Sequence, residues 1–165
     1  KGAKMQKITT FLTFKDQAEE AMNFYVSVFK GAKIGHTRRY FKGAHLPEGT
    51  FMTGTFEVEG QTFMLLNAGA DFGFGGGGHS LFVDCRTQDE IDHLWNALSE
   101  GGQQKQCGWL QDKFGVTWQI VPDILGKLMT RNDKDPAAAD RVMQAMMKMT
   151  KFDIQKLQDA HDGKA

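Results

Sequence analysis

The chain has 165 residues, 41% apolar and 24% charged, which are the proportions of an ordinary globular domain with a real core. Twenty Lys and Arg balance twenty Asp and Glu. With no global field to attract them, nucleic acid and anionic membranes are not expected partners. No apolar run approaches the ~20 residues needed to span a bilayer, and the N-terminus lacks the apolar core of a secretory signal. A cytoplasmic location is therefore expected, with Cys85 and Cys107 reduced rather than paired.

Residues 8–14 mix β-branched and aromatic side chains and predict a strand. Asp16, with Glu19 three positions on, then predicts a capping box and a helix. Ala21, Phe24, Tyr25 and Val28 fall at i, i+3, i+4 and i+7, one apolar stripe to lay on a sheet, and Gly31 ends the helix. Residues 32–41 and 50–58 read as strands around a loop that holds His45, Pro47 and Gly49, and residues 61–67 add another strand. The first unit is strand, helix, three strands.

Residues 69–78 (GADFGFGGGG) separate this unit from the next, and the run Gly75 to Gly78 predicts a mobile hinge. A phosphate loop would place its glycines between a strand and a helix; these precede a strand, and no Lys-Ser or Lys-Thr follows. Residues 79–85 are the next strand, and Thr87 with Glu90 forms a second capping box. The helix it opens carries Ile91, Leu94, Trp95 and Leu98, with Gly101 beyond its end. Each position is seventy after its counterpart in the first helix. Residues 103–122 read as two short strands and a longer one. Gly115-Val116-Thr117-Trp118-Gln119-Ile120 repeats Gly60-Gln61-Thr62-Phe63-Met64-Leu65 as Gly-x-Thr-aromatic-x-aliphatic, fifty-five residues on. Such a repeat calls for two similar modules.

After Pro122, residues 124–129 predict a short helix, residues 131–135 a charged linker, and Asp135-Pro136 a cap and first-turn proline for a further helix. Val142, Met143, Met146 and Met149 form its apolar stripe, and Ile154, Leu157 and His161 mark a last helix. The stripe can fold back onto its own sheet or pack on a second chain. A homodimer through it is the expectation, because closed twofold dimers are the commonest soluble assembly.

Two tandem strand-helix-three-strand modules, with FxxxxEEAMNFY, DCRTQDEIDHLW and QCGWLQDKFGVTWQIVP in that order, resemble the vicinal oxygen chelate superfamily. The resemblance is to its PhnB-like branch, labelled 3-demethylubiquinone 3-methyltransferase-like. It covers residues 7–122, and the helical tail also looks typical of the branch. It implies an α+β fold in which two βαβββ modules, residues 7–68 and 79–122, form an open cup within one domain, with residues 123–165 as a helical extension. It also implies a small-molecule ligand, or a divalent metal, on the concave face. The superfamily's ligand positions, carried over, fall on Thr9 or Thr10 and on His79 in the first strands, and on Met64 and Gln119 in the last strands. A neutral hydroxyl, a thioether and an amide are poor partners for Zn²⁺, Ni²⁺ or Fe²⁺, which leaves His79 as the one plausible metal ligand. No cofactor is therefore expected. A nucleotide-like methyl donor is commonly held by a glycine-rich turn from a parallel strand into a helix, and the chain has no such turn.

The ligand-binding candidates are thus Thr10, Met64, His79, Cys107, Trp109 and Gln119. Gln119 lies between two large apolar residues and needs hydrogen-bond partners, while Cys107 and Trp109 flank a glycine at a strand turn. The leading expectation is a binding or metal-independent enzymatic protein with an apolar or aromatic ligand. The alternatives are a metal-dependent lyase, isomerase or dioxygenase, and a non-catalytic dimeric interaction module.

Overall fold

The computed structural model describes residues 9–74, 79–130 and 134–164. The run Gly75 to Gly78, expected as a hinge, lies outside the described residues. The fold is α+β: two tandem βαβββ modules, each with its own four-stranded mixed sheet, followed by helices. The chain divides into two compact units, residues 1–73 and 74–165, so the C-terminal helices belong to the second module.

The first unit contains β1 (Thr10–Phe14), α1 (Ala18–Val28), β2 (Lys33–Arg39), β3 (Phe51–Val58) and β4 (Gln61–Asn67). Its sheet order is β1-β4-β3-β2, with β1 and β4 parallel. The apolar stripe of α1 closes one face: Tyr25 stacks on Phe56 at 5.7 Å between centroids, and Phe56 on its cross-strand neighbour Phe63 at 5.0 Å. Paired residues share a face and neighbours alternate. Thr10, Leu12 and Phe14 therefore stand on the helix side with Phe63 and Leu65, while Phe11, Met64 and Leu66 stand on the other.

The expected cap at Asp16 is not the one used. The N-cap is Gln17, without a side-chain bond, and the first turn is satisfied from a distance: Ala18 N donates to Asn67 Oδ1 at 2.7 Å. Parallel pairing sets Asn67 opposite Phe14, and this delivers its amide to the helix that follows β1. Asn67 Nδ2 donates in turn to Phe51 O at 3.2 Å, and the residue is buried.

The second unit contains β5 (Leu81–Cys85), α2 (Gln88–Ser99), β6 (Gln103–Gln104), β7 (Trp109–Gln111) and β8 (Thr117–Pro122), in the order β5-β8-β7-β6. Ile91, Leu94, Trp95 and Leu98 are all buried, as their spacing requires. Here the local cap forms: Thr87 Oγ1 accepts from Glu90 N at 3.2 Å, and Glu90 Oε2 accepts from Arg86 N at 2.8 Å. The connection from β7 to β8 turns on buried Asp112, which accepts from Phe114 N, Val116 N and Trp118 Nε1 at 2.9 to 3.0 Å.

Both repeated glycines, Gly60 and Gly115, have the left-handed backbone (φ 75° and 89°) that a tight entry into β4 and β8 demands. The register corrects the repeat at one place. Leu12 pairs Leu65 while Val83 pairs Ile120, so the first strands are offset by seventy-one, not seventy. The turn from β5 into α2 is one residue shorter than the turn from β1 into α1.

The tail forms α3 (Leu125–Leu128), α4 (Ala138–Met147) and α5 (Ile154–His161). Asp135 does not cap α4; the helix starts two residues later than expected, and the Asp135 carboxylate accepts from Arg141 Nη2 at 2.7 Å. The Arg141 guanidinium holds this carboxyl below the usual carboxylate range. It also donates to Ala160 O at 2.8 Å and His161 O at 2.5 Å, which ties α4 to the end of α5.

The stripe on α4, expected at an interface, turns inward. Val142 joins Val121, Leu128, Phe152 and Leu157 in a core, with Met146 and Met149 packed against it. Burying each such side chain contributes about 1.5–3 kcal/mol, so the stripe is satisfied within its own chain. Of the four, Met143 remains exposed.

Two outcomes follow from this packing. Asn67→Ala strands the N–H of Ala18 and the carbonyl of Phe51, and urea unfolding should show a loss of about 1–3 kcal/mol. Cys85 is fully buried, and burial, with Glu90 and Asp84 nearby, pushes its thiol up from 9.0 to about 12. The native chain therefore keeps the proton while the unfolded chain gives it up. The stability advantage of wild type over Cys85→Ala should shrink as pH rises from 9.0 to about 12, and at pH 8 peptide mapping should find Cys85 alkylated only after unfolding.

Candidate functional site

The second unit has a groove of about 480 Å³ on the helix-free face of its sheet. One wall is the sheet: Phe82 and Asp84 from β5, Trp109 from β7, and Gln119 and Val121 from β8. Register places them together, since Phe82 pairs Gln119 and Trp109 pairs Gln119 from the other side. The other wall is the tail, with Leu125, Gly126, Met129, Met146 and Phe152, and Cys107, Pro122 and Asp123 complete the lining.

The tail is held there by main-chain bonds. Cys107 N donates to Met149 O at 2.9 Å and Gly108 N to Thr150 O at 2.8 Å. Both Cys107 and Gly108 have left-handed backbone, φ 58° and 77°. A Cβ on Gly108 would collide with the ring of Phe152, and with the carbonyl of Ile120 at 2.7 Å, so glycine is what lets Phe152 seat on the turn. A second clamp comes from α2. Gln88 Nε2 donates to Phe152 O at 3.0 Å, Ile154 N donates to Gln88 Oε1 at 2.9 Å, and Lys151 pairs with Asp92 at 2.6 Å.

Cys107, Trp109 and Gln119 thus come together in one groove. The Cys107 thiol lies 3.6 Å from Met146 O and 3.8 Å from Met147 Sδ. Gln119 Nε2 donates to Ser80 Oγ at 3.0 Å, which leaves its amide oxygen for another partner. The remaining candidates lie elsewhere. Met64 stands on the helix-free face of the first sheet and Thr10 on the helix side of it, and His79 is an exposed residue ahead of β5 that does not line the groove. The offset of seventy-one explains His79: extended by one residue, the register makes Ser80 the counterpart of Thr9.

The strand residues beside Met64 and Gln119 are Phe11 and Phe82, 49% and 59% exposed. Sequence reasoning passed over Phe82. The alternation within residues 79–85, aligned on the β8 repeat, was the signal that could have found it. The tail wall had no such signal.

Metal chemistry has a poor donor set here. The carried-over positions are a hydroxyl, a thioether, an amide and an imidazole. Among the described residues no group of three or more His, Cys, Asp or Glu could hold an ion. A methyl donor fares no better at the strand-to-helix turns. Neither 15–17 nor 86–87 contains glycine, and at each helix start one N–H is already taken, by Asn67 Oδ1 and by Thr87 Oγ1.

Residues 6–121 match the family model described as 3-demethylubiquinone-9 3-methyltransferase. The chain belongs to that family. It is the PhnB-like branch of the vicinal oxygen chelate superfamily. A PhnB protein from Bacillus cereus is 39% identical, with a TM-score of 0.66, over 71% of this chain and 99% of that one. A protein from Pseudomonas aeruginosa shares the fold at 23% identity and a TM-score of 0.59, over 72% of this chain and 98% of that one. No curated protein matches the chain at a significant level. The family match ends at residue 121, and the Bacillus chain is all but exhausted by 71% of this one, so a tail of this length has no counterpart there. In this chain the residues after the family match supply the second wall of the groove.

Gly108→Ala tests that construction. A left-handed alanine costs about 1–2 kcal/mol, and the displaced Phe152 adds the loss of tail contacts. The variant should unfold at lower urea than wild type, and hydrogen exchange should show the amides of Cys107 and residue 108 losing protection while those of α2 keep theirs.

Proposed function

We propose that this PhnB-like protein binds an apolar or aromatic small molecule in the groove between the second sheet and the tail, as a binding protein or a metal-independent enzyme. The observation that carries this is the lining. Phe82, Trp109, Val121, Met146 and Phe152 enclose a volume within the roughly 300–1,000 Å³ typical of small-molecule sites. Thioethers and aromatic faces adapt to flat apolar ligands, and the free amide oxygen of Gln119 supplies one directional contact. The family's description names a methyl transfer; no such step is assigned to these residues, because the turns that would hold the donor are capped by the chain itself.

A second copy of the chain is the proposed partner. What supports it is the exposed pair Met143 and Met147 on α4 together with the resemblance. Sedimentation at micromolar concentration should show a dimer that Met143→Glu with Met147→Glu dissociates. No helix among the described residues is long and apolar enough to cross a membrane, and the cytoplasm is the proposed compartment.

Ligand binding has a direct test. Gly126 lines the groove and has nothing within 4 Å of where a Cβ would stand, so the side chain of Gly126→Met starts in open space and can serve as a plug. In a thermal-shift and fluorescence screen of aromatic metabolites, hits should quench Trp109 in wild type, leave Trp109→Phe unquenched, and bind Gly126→Met at least about tenfold more weakly with its melting temperature unchanged. Hits that bind wild type and Gly126→Met alike would place the site elsewhere.

A further inference from the structure

The charge of the groove narrows its ligand, on the reading that the groove is the site. Among the described residues thirteen line it, and the ionisable ones are Asp84, Asp123 and the thiol of Cys107; none of the thirteen is Lys, Arg or His. Asp84 and Asp123 are exposed, and neither has an ion-pair partner among the described residues. Two half-buried acids of the same unit are paired instead, Asp92 with Lys151 and Asp135 with Arg141. The two carboxylates lie on different elements. Asp84 stands two residues from Phe82 on the sheet wall, and Asp123 follows β8 where the tail begins, its backbone N–H donating to Cys85 O at 2.8 Å. They therefore share one end of a cavity whose other surfaces are aromatic and thioether.

We infer that the groove selects a hydrophobic cation, an aromatic or alkyl body carrying a protonated amine or quaternary ammonium, over neutral or anionic molecules of the same shape. The aromatic body is covered by Trp109, Phe82 and Phe152, and the charge is drawn to Asp84 and Asp123. Trp109 and Phe82 add their ring faces, whose negative quadrupole attracts a cation and repels an anion. Local potential points the same way, since Glu90, Asp84 and Asp123 all favour the protonated thiol of Cys85 beneath the sheet. An anionic ligand would meet two carboxylates and, among the described lining residues, no counter-charge.

The test is a matched set with one body and three charges: 4-phenylbutylamine, 4-phenylbutanol and 4-phenylbutanoate, titrated against the full chain by Trp fluorescence and calorimetry at low salt. The amine should bind about tenfold or more tighter than the carboxylate, with the alcohol between. Added salt should narrow the gap. Asp84→Asn with Asp123→Asn should bring the three within about twofold while the melting temperature holds, and single variants should each close part of the gap. Equal binding of the three to wild type, all of it blocked by Gly126→Met, would overturn the cation preference and leave the groove as the site. A preference for the carboxylate would overturn it likewise. Binding of none of the three would overturn both this inference and the reading it rests on.

Discussion

Two main-chain hydrogen bonds, from Cys107 N to Met149 O and from Gly108 N to Thr150 O, turn a sheet face into a groove. Without them the second sheet would present Trp109 and Gln119 to water, as the first sheet presents Phe11. They form because the turn before β7 adopts left-handed backbone at two successive residues, one of which is a cysteine. That conformation costs free energy at Cys107, and the docked tail over-determines it. Everything placed on the far wall, Phe152 and Met146 above all, depends on this docking and on the Gln88 clamp behind it.

The two modules solve one construction problem in two ways. Each must satisfy the free N–H groups where a helix follows its first strand. The second uses the local Thr87 and Glu90 box, and the first imports Asn67 from β4. Asn67 ties the end of β4 to the helix that follows β1, whereas the Thr87 and Glu90 box is local to the turn between β5 and α2. Asp112 performs the corresponding work at the turn into β8, where one buried carboxylate takes three donors and fixes the Trp118 indole. A buried acid is tolerable when its oxygens are so occupied.

The family match covers the modules and the sheet wall of the groove. The match ends where β8 ends, and the residues beyond it supply one wall and, through Asp123, part of its charge. The groove is therefore lined by two stretches of the chain, the sheet within the family match and the tail beyond it. That agrees with the general rule that function is grafted on folds at sites.

Local periodicity determined the elements. The i, i+3, i+4, i+7 stripes named both repeat helices, and the Gly-x-Thr repeat named β4 and β8, because each signal is short-range and each buried face must be continuous. Cys107 and Trp109 became candidates as neighbours of a glycine at a strand turn, and Gln119 as a position carried over from the family resemblance. Tertiary structure alone decided which faces those residues share. A one-residue difference in a turn moved the first-strand counterpart from His79 to Ser80, and strand alternation makes such a slip exchange one face for the other. It also decided where the α4 stripe goes. A stripe states only that apolar cover is required. Whether a second chain or the chain's own core provides it depends on residues far away in sequence, here Val121, Phe152 and Leu157, whose approach no local pattern encodes.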